Sequence, residues 1–571
     1  MPIDYQIRRP EQIDKLRRGG RFDLAVIGAG INGAAIARDA AMRGLRVALV
    51  EKGDFAGATS SRSSKLIHGG VRYLPQGQLK LVYQSLRERE RLRTVTAPHL
   101  VKPVRFLMPL YRARSYGPML LGLGLTLYDL AAWAPRDQWH RVLDAEAVLR
   151  VLPALSREGL RGGALYYDSW SDDARLTLEN VLDAVYHGAA AANYLKLDAL
   201  TAGSGRLKTA AVRDLTDGTQ FEIEAARFIN AGGPWVDDVR ALDDGLAAPS
   251  IRLTKGVHVV IPAKRLPIKQ WLVLTADHGR IVFVMPQDQY VLVGTTDTDF
   301  DGDREQVSAN REDVSYLLEV LREGLPEVDL NEKDVVSSFA GLRALLRAAP
   351  GKAPSSVPRE ETIIESRTGL LSVAGGKLTT HREIAQKVVD HLMREMGRQS
   401  LRCPTLRTPL PGARALAGVF DGRRAEAAAL PPAASEALIG RYGSRAELVA
   451  EIIEAAPELS KPLVQGCPVV GAEVAFAVRY EMALKLEDFI VRRASLLWRY
   501  PVEAEAGAPE AARLMAKELG WDRARWQQEL NRVALDMQSR RGAKADRAAD
   551  DQLRSEDKDR EPDPQAGIDR G

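Results

Sequence analysis

The chain has 571 residues, 45% hydrophobic and 27% charged, with 80 Lys+Arg against 76 Asp+Glu. That length allows two or three domains with full cores, and the composition is that of an ordinary soluble globular protein. A formal net charge of +4 gives no case for nucleic acid, and two cysteines, Cys403 and Cys467, exclude a disulfide scaffold and cannot by themselves make a zinc site.

Residues 1–20 are polar and Arg-rich with no apolar stretch, which does not read as a secretory signal. Phe22–Ile27 is a short apolar run suited to a strand buried on both faces. Gly28, Gly30 and Gly33 then spell G-x-G-x-x-G, small residues follow at helical spacing, and a second buried strand (residues 46–50) stops at Glu51. The first glycine makes a tight turn, the second lets main chain approach a pyrophosphate, and the third packs helix on strand. The helix N-terminus offers free N–H groups and a positive dipole end to that pyrophosphate. Glu51 stands where an adenosine ribose would be bound. The unit predicts a dinucleotide site.

Residues 53–74 form a glycine- and serine-rich loop in which Ser60, Ser61, Ser63 and Ser64 can donate to phosphate and ribitol oxygens, and Gly69–Gly70 let backbone approach a flat ring. This loop follows the second strand directly, and the segments needed to complete the sheet (227–233 and 370–376) are scattered along the chain. Both features favour FAD over NAD. Residues 79–92 have helical period. The longest apolar run, residues 118–127, reads as a buried core helix; the alternative is a surface segment resting among lipid headgroups, with Arg112 and Arg114 just upstream as anionic-lipid contacts. It is too short to span a bilayer.

GALYYD (163–168) reads as an edge strand, residues 171–187 as a helix, and residues 191–228 as a meander turning at Asp217–Gly218. Further strands are expected over 253–261, 271–275, 281–286 and 290–294, then structure over 334–346 and 362–373 leading to GGKLTT (375–380) and a long helix. From about residue 401 the composition changes: Pro404, Pro409, Pro411 and Gly412 suggest a linker, and a separate helical domain follows to about residue 538. Residues 539–571 carry mixed charge and almost nothing apolar, too little to bury for folding. Asp297-x-Asp299-x-Asp301-Gly302-Asp303 begins like a calcium loop, but its twelfth position is Ser308 and a strand precedes it, so no metal is expected.

The matching stretches GAGINGA (28–34), ATSSRSSKLIHGGVRYL (58–74), YDSWSDDARL (167–176), GGPWV (232–236), RLTKGVHVV (252–260), GTTDTDF (294–300) and LLSVAGGKLTTHR (370–382) together resemble the FAD-dependent, aerobic sn-glycerol-3-phosphate dehydrogenases. The resemblance runs from about residue 23 to 498. It implies an α/β fold: a Rossmann-like FAD-binding domain of the D-amino-acid-oxidase/glutathione-reductase type, interleaved with a mainly antiparallel β-sheet substrate domain, plus a C-terminal all-α domain. The core would occupy 1–400, with the FAD unit near 20–75, 160–235 and 360–395; the helical domain would be 401–538 and the tail 539–571.

The resemblance also implies the activity: a hydride passes from C2 of glycerol 3-phosphate to FAD, giving dihydroxyacetone phosphate, and electrons go on to a membrane quinone, ubiquinone or menaquinone. It places the enzyme in the cytoplasm, peripherally on the inner face of the cytoplasmic membrane and in contact with the bilayer surface, and leaves a homodimer open. Cofactor contacts carried over are Gly28, Gly30, Ile31, Asn32, Gly33, Glu51, Thr59, Ser60, Ser61, Ser63, Ser64, Leu66, His68, Gly69, Gly70, Gly232, Trp235, Gly376, Lys377, Leu378 and Thr379. Arg72, Tyr73 and Arg359 match substrate-binding positions, with Arg72 and Arg359 as phosphate clamps suited to bidentate contact. His258, Arg343 and Lys377 match catalytic ones.

Arginine cannot act as a free base near neutrality, so Arg343 and Lys377 read as stabilisers of a developing alkoxide. His258 is then the general-base candidate, against the alternative of a structural histidine on a strand. Three positions depart from the family pattern: Ala344 where proline is usual, His381 where an aromatic is common, and Gly232 in place of threonine. Two other enzyme readings remain open, a glycerol-3-phosphate oxidase using O2 and an amine or amino-acid oxidase of the same fold. A nucleic-acid-binding flavoprotein is disfavoured, because charges of both signs are interleaved in the C-terminal region and no aromatic cluster accompanies them.

Overall fold

The computed structural model describes residues 6–71, 78–111, 118–244, 249–276, 280–347, 361–398, 402–414 and 430–541. Its first sheet grows from the opening unit. β1 (Phe22–Ile27) lies between β2 (Val47–Val50) and β10 (Gln220–Asn230); β2 carries β7 (Ala190–Ala192) and β10 carries β18 (Leu370–Ala374), all parallel. Strands covered on both faces need near-continuous apolar sequence, and every residue of β2 is buried. The distant stretches expected to complete this sheet do so. β17 (Thr362–Glu365) adds an antiparallel edge. β10 serves two layers: residues 225–230 pair with β1, while residues 220–224 pair with β9 (Arg206–Asp214), which also holds β8 (Leu195–Gly203).

The second sheet runs β15 (Thr298–Asp299), β11 (Ile251–Pro262), β14 (Tyr290–Gly294), β13 (Ile281–Gln287), β12 (Trp271–Thr275), β4 (Lys102–Tyr111), β6 (Leu160–Trp170) and β3 (Leu66–Ile67), with β16 (Ser337–Leu346) also on β11 and β5 (Arg141–Leu143) also on β6. Among the described strands of this sheet, only β4 and β12 pair in parallel. The strand expected at an edge, β6, is interior. Gly162 and Gly163 explain this: a Cβ on Gly163 would lie 2.8 Å from the Met108 carbonyl oxygen of β4, and one on Gly162 would strike the Leu143 carbonyl of β5. Glycine there lets strands close on β6 from both sides.

Helix α1 (Arg9–Arg18) covers β7, and α2 (Ile31–Met42) follows the glycine turn. α3 (Leu79–Arg91) packs against α4 (Pro118–Ala132), the longest apolar run. α4 is only half a core helix. Leu125, Tyr128 and Ala132 are buried, whereas Leu123, Leu127 and Leu130 are 60%, 51% and 55% exposed, and Trp133 just beyond is 75% exposed. Apolar composition alone could not show which side lacked a partner.

Past residue 430 the chain is helical through Arg540, two residues into the stretch expected as tail; residues 542–571 lie outside the described residues. Phe489, Trp498 and Met515 of this unit share one core with Tyr166, Leu292 and Phe339 of the second sheet. The proline-bearing segment 402–414 is packed down, not a free linker. Leu410 is buried against Ile67 and Leu176, Thr408 accepts from Arg38 Nη2 at 2.8 Å, and Gly412 N–H donates to Glu179 at 3.0 Å. No helix among the described residues is long and apolar enough to cross a membrane.

Candidate active site

The turn between β1 and α2 is built as its glycines predict. Gly28 sits at φ +100°, where L side chains are strained. A Cβ on it would lie 2.6 Å from the Ala231 carbonyl oxygen, and one on Gly33 would strike the Gly28 carbonyl. α2 opens with neither a side-chain cap at Gly30 nor an acidic first turn, which leaves its dipole end free for an anion. Ser60 Oγ accepts from the Ile31 N–H at 2.9 Å, so its own proton can be given to a ligand. Asn32 Nδ2 donates to the Gly375 carbonyl at 3.3 Å, while Asn32 Oδ1 is buried without a partner.

Glu51 accepts from Ala29 N–H at 2.7 Å and Gly53 N–H at 2.9 Å, so it clamps the turn and still has lone pairs for ribose hydroxyls. Burial raises its pKa, against the pull of those two N–H groups. Lys52 covers the ring of Trp235 at 3.6 Å, and Gly232 N–H donates to Asn230 Oδ1 at 3.0 Å. An open turn with unsatisfied donors and acceptors around a helix N-terminus fits a dinucleotide.

The serine-rich loop uses its hydroxyls differently from the sequence expectation. Thr59 donates to the Leu342 carbonyl at 2.6 Å, Ser61 to that of Ala58 at 3.3 Å, and Ser63 to Asp173 at 2.7 Å. These three protons hold the loop in shape, so the Ser60 hydroxyl and main-chain groups are what this stretch keeps for a ligand. Asp173 is the organiser that sequence reasoning missed, because at the start of the helix expected over 171–187 an acid is accounted for by the helix alone. It is fully buried and takes Lys65 Nζ at 2.6 Å on its other oxygen. Leu66 enters β3, and His68 N–H donates to Thr379 Oγ1 at 3.2 Å, tying the loop to the GGKLTT turn. Gly70 stands at φ +82°.

On the second sheet, antiparallel register sets His258 opposite Phe339, Gly256 opposite Gly341 and Thr254 opposite Arg343, so alternate residues of β11 and β16 form one face. The His258 ring stacks on Phe339 with centroids 4.9 Å apart. Arg343 lies across Gly256, where a Cβ would come within 2.5 Å of the guanidinium, and Gly294 leaves the matching space for the imidazole. Thr295 Oγ1, the Thr296 carbonyl and Asp297 accept from Arg343 at 3.0, 3.2 and 3.1 Å. Two acids of the rejected calcium loop are thus arginine partners, since Asp299 also receives Arg252 at 2.5 Å.

His258 Nε2 meets Ser64 Oγ at 2.9 Å, joining the cofactor loop to this face, and His258 Nδ1 is buried without a partner. Burial, with Arg343 and Lys65 nearby, pushes the imidazole well below its ordinary pKa, so it is neutral.

Lys377 follows Gly375 and Gly376, both at positive φ, and its ammonium is shielded from solvent. Leu378 and Ile31 each pack against the buried cluster that holds Leu176, and the Thr379–His68 bonds join this turn to the serine loop. His381 Nδ1 faces the Leu378 carbonyl at 2.7 Å, and burial lowers its pKa to about 4, so a neutral ring takes the place of the usual aromatic. Ala344 continues β16, opposite Leu253. Arg72, Tyr73 and Arg359 lie outside the described residues.

Residues 23–382 match the family model described as FAD dependent oxidoreductase, and residues 403–526 match the C-terminal domain of alpha-glycerophosphate oxidase. The aerobic glycerol-3-phosphate dehydrogenase of Staphylococcus haemolyticus (strain JCSC1435) is 36% identical over 503 residues, 86% of this chain and 89% of that protein. That of Staphylococcus aureus (strain USA300) is 34% identical over 507 residues, with the same two coverages. Among solved structures, the glycerol-3-phosphate dehydrogenase from Bacillus halodurans complexed with FAD superposes with a TM-score of 0.77 at 30% identity, covering 93% of this chain and 97% of that one. The L-alpha-glycerophosphate oxidase from Mycoplasma pneumoniae, with FAD bound, shares the fold (TM-score 0.52, 20% identity, 68% of this chain and 99% of that one).

Proposed function

Because the chain belongs to the FAD-dependent oxidoreductases and, among them, to the aerobic glycerol-3-phosphate dehydrogenase family, we propose that it oxidises sn-glycerol 3-phosphate to dihydroxyacetone phosphate. The observation that carries this reading is the Ser64–His258 bond, which brings a neutral imidazole and the Arg343 guanidinium to one sheet face beside the cofactor loop. FAD, when bound, supplies the acceptor for the C2 hydride. The residues that would hold it are the Gly28–Gly33 turn, Glu51, Ser60, the main chain of residues 59–70 and the Gly376–Thr379 turn.

Arg343 offsets the negative charge that develops on the substrate C2 oxygen as its proton leaves. His258 is the group able to take that proton, because it is unprotonated in the resting protein and its Nδ1 has no other partner. Cations around His258 oppose its protonation, and the arriving phosphate dianion relieves that opposition. Lys377 adds a second positive charge, and Arg72 and Arg359 clamp the phosphate. The test is a spectrum: anaerobic glycerol 3-phosphate should bleach the flavin band, and an unchanged band refutes the reading.

Electrons then pass to a membrane quinone. Oxygen is the competing acceptor, favoured by the match of residues 403–526 to a glycerophosphate oxidase domain. Substrate-dependent oxygen uptake that persists undiminished when a soluble quinone is added would select the oxidase.

A lipid-soluble acceptor calls for a membrane-facing surface, and the exposed side of α4 suits it. Leu123, Leu127, Leu130 and Trp133 are exposed, as are Leu79 and Tyr83 of α3 and Val142 of β5, and α4 packs against both of those elements. Arg87 lies 4.7 Å over the Trp133 ring, and Lys80, Arg136 and Arg141 are exposed beside it, a pattern of aliphatic centre and basic, Trp-bearing rim that favours anionic lipid headgroups. Leu127→Glu/Leu130→Glu should abolish co-flotation with phosphatidylglycerol vesicles and leave flavin content intact; retained flotation would assign docking elsewhere.

A further inference from the structure

One buried polar group on α4 has no part in the reaction as derived above. The Tyr128 hydroxyl donates to Asp168 of β6, 2.8 Å from each carboxylate oxygen, and accepts the Gly69 N–H at 2.9 Å. Arg89 of α3 donates to the same carboxylate at 2.7 Å and to the Tyr167 carbonyl at 3.0 Å. All three side chains are buried. Burial and the Asp168 charge hold the Tyr128 phenol far above its ordinary pKa, so it keeps its proton and the direction of every bond is set. Gly69 donates to Tyr128 and, at the longer distance of 3.3 Å, to Asp168 directly; Tyr128 donates to Asp168, and Arg89 neutralises the end of the chain. The fit leaves no slack, since a Cβ on Gly69 would lie 2.7 Å from the Tyr128 oxygen and 2.5 Å from Leu86 of α3.

Gly69 belongs to the loop whose main chain faces the flavin in the function proposed above, and the inference rests on that reading. Tyr128 sits on the inner side of the helix whose outer side presents Leu127 and Leu130. A rigid helix cannot shift one side without the other. We propose that Tyr128, with Asp168 and Arg89, is a positioning relay that ties the flavin-facing main chain at Gly69–Gly70 to α4, so that seating of α4 on a lipid surface is felt at the flavin. Tyr128 is a positioning residue, since it touches neither substrate nor the reacting atoms.

The test compares wild type with Tyr128→Phe, which keeps the ring in its packing and removes one oxygen. Both holoproteins should bind phosphatidylglycerol vesicles equally. In wild type the vesicles should shift the visible flavin spectrum, and in the variant they should not. Turnover with a soluble quinone should fall about tenfold in the variant with KM for glycerol 3-phosphate within about twofold, since the loss is one of positioning, not substrate contact. Amide exchange in the peptide covering residues 66–71 should rise about tenfold, because the Gly69 N–H loses its nearer acceptor and keeps only the longer bond to Asp168 at 3.3 Å. The absence of any vesicle response in wild type overturns the relay, and so does an identical response in the variant or unchanged exchange at residues 66–71. Wild type that FAD cannot reconstitute would refute the functional reading, and the exchange measurement would still decide the relay.

Discussion

Glu481 offers the sharpest test of how the helical unit is held to the rest of the molecule. It is fully buried and takes Arg175 at 2.6 and 2.8 Å on its two oxygens, with Arg445 at 2.7 Å on one of them. Burial alone would raise its pKa; Arg175 and Arg445 outweigh that and hold it from 4.5 down to about 2. Converted at 1.36 kcal/mol per pKa unit, that depression corresponds to roughly 3 kcal/mol of stability. Breaking a buried pair by removing one partner costs about 3–5 kcal/mol, because the stranded charges remain. Glu481→Gln removes the carboxylate that both guanidinium groups share and leaves Arg445 only the longer 4.0 Å contact with Glu179, so a cost within that range applies. If the helical unit melts cooperatively, its transition should fall by at least about 5 °C, measured by calorimetry at pH 7.

The pH dependence follows from the sign of the shift. A depressed carboxyl contributes fully above 4.5 and loses its contribution as pH falls toward about 2. The gap between wild type and Glu481→Gln should therefore be constant from pH 5.5 to 8 and shrink below about pH 4.5. Adding Arg445→Met should recover part of the loss, because it removes one of the stranded charges. A single variant melting within about 1 °C of wild type at pH 7, or a double variant less stable than the sum of its parts, refutes the reasoning.

His258→Ala should slow flavin reduction by about 10²-fold at pH 7.5 in stopped flow, and wild-type rates would remove it from the mechanism. Because burial, Arg343 and Lys65 push the His258 pKa well down, the wild-type rate should show no titration near pH 6.5, the unperturbed value, and decline only at lower pH. Arg343→Lys keeps a positive charge but cannot reach Thr295, Thr296 and Asp297 together, so kcat should fall about tenfold or more; near-normal kcat would mean charge alone suffices. Gly28→Ala places a methyl 2.6 Å from the Ala231 oxygen at a positive φ, and the purified protein should be colourless; full flavin content would show that the turn yields.

Features legible in the sequence share one property: the information was local. The β1–turn–α2–β2 unit reads directly, because each glycine answers a clash within its own turn or with the next strand, and a strand covered on both faces must be apolar throughout. Although β4 had no expectation and β6 was placed at an edge, the strands at 253–261, 271–275, 281–286 and 290–294 read as well, and the meander over 191–228 reads from alternation and its Asp217–Gly218 turn. Residue roles in the serine loop did not. A hydroxyl's partner is a matter of geometry, and Ser63 gives its proton to a residue 110 positions away, while Ser64 meets one 194 positions away.

The largest gap concerned α4. Its leucines, glycines and tyrosine state only that the segment is apolar and helical. Which side is covered depends on α3 and β6 arriving beneath it, and the same arrival buries Tyr128 against Asp168 and Gly69. Likewise the prolines of residues 402–414 mark a break in regular structure, and only packing against Arg38 and Glu179 turns that break into a strap. Sequence by itself determined most of the elements, the glycine turn and the kind of cofactor they suit, because those follow from short-range sterics and periodicity. Tertiary structure alone decided which charges meet and which apolar face stays open, because both depend on chain segments that come together only in the fold.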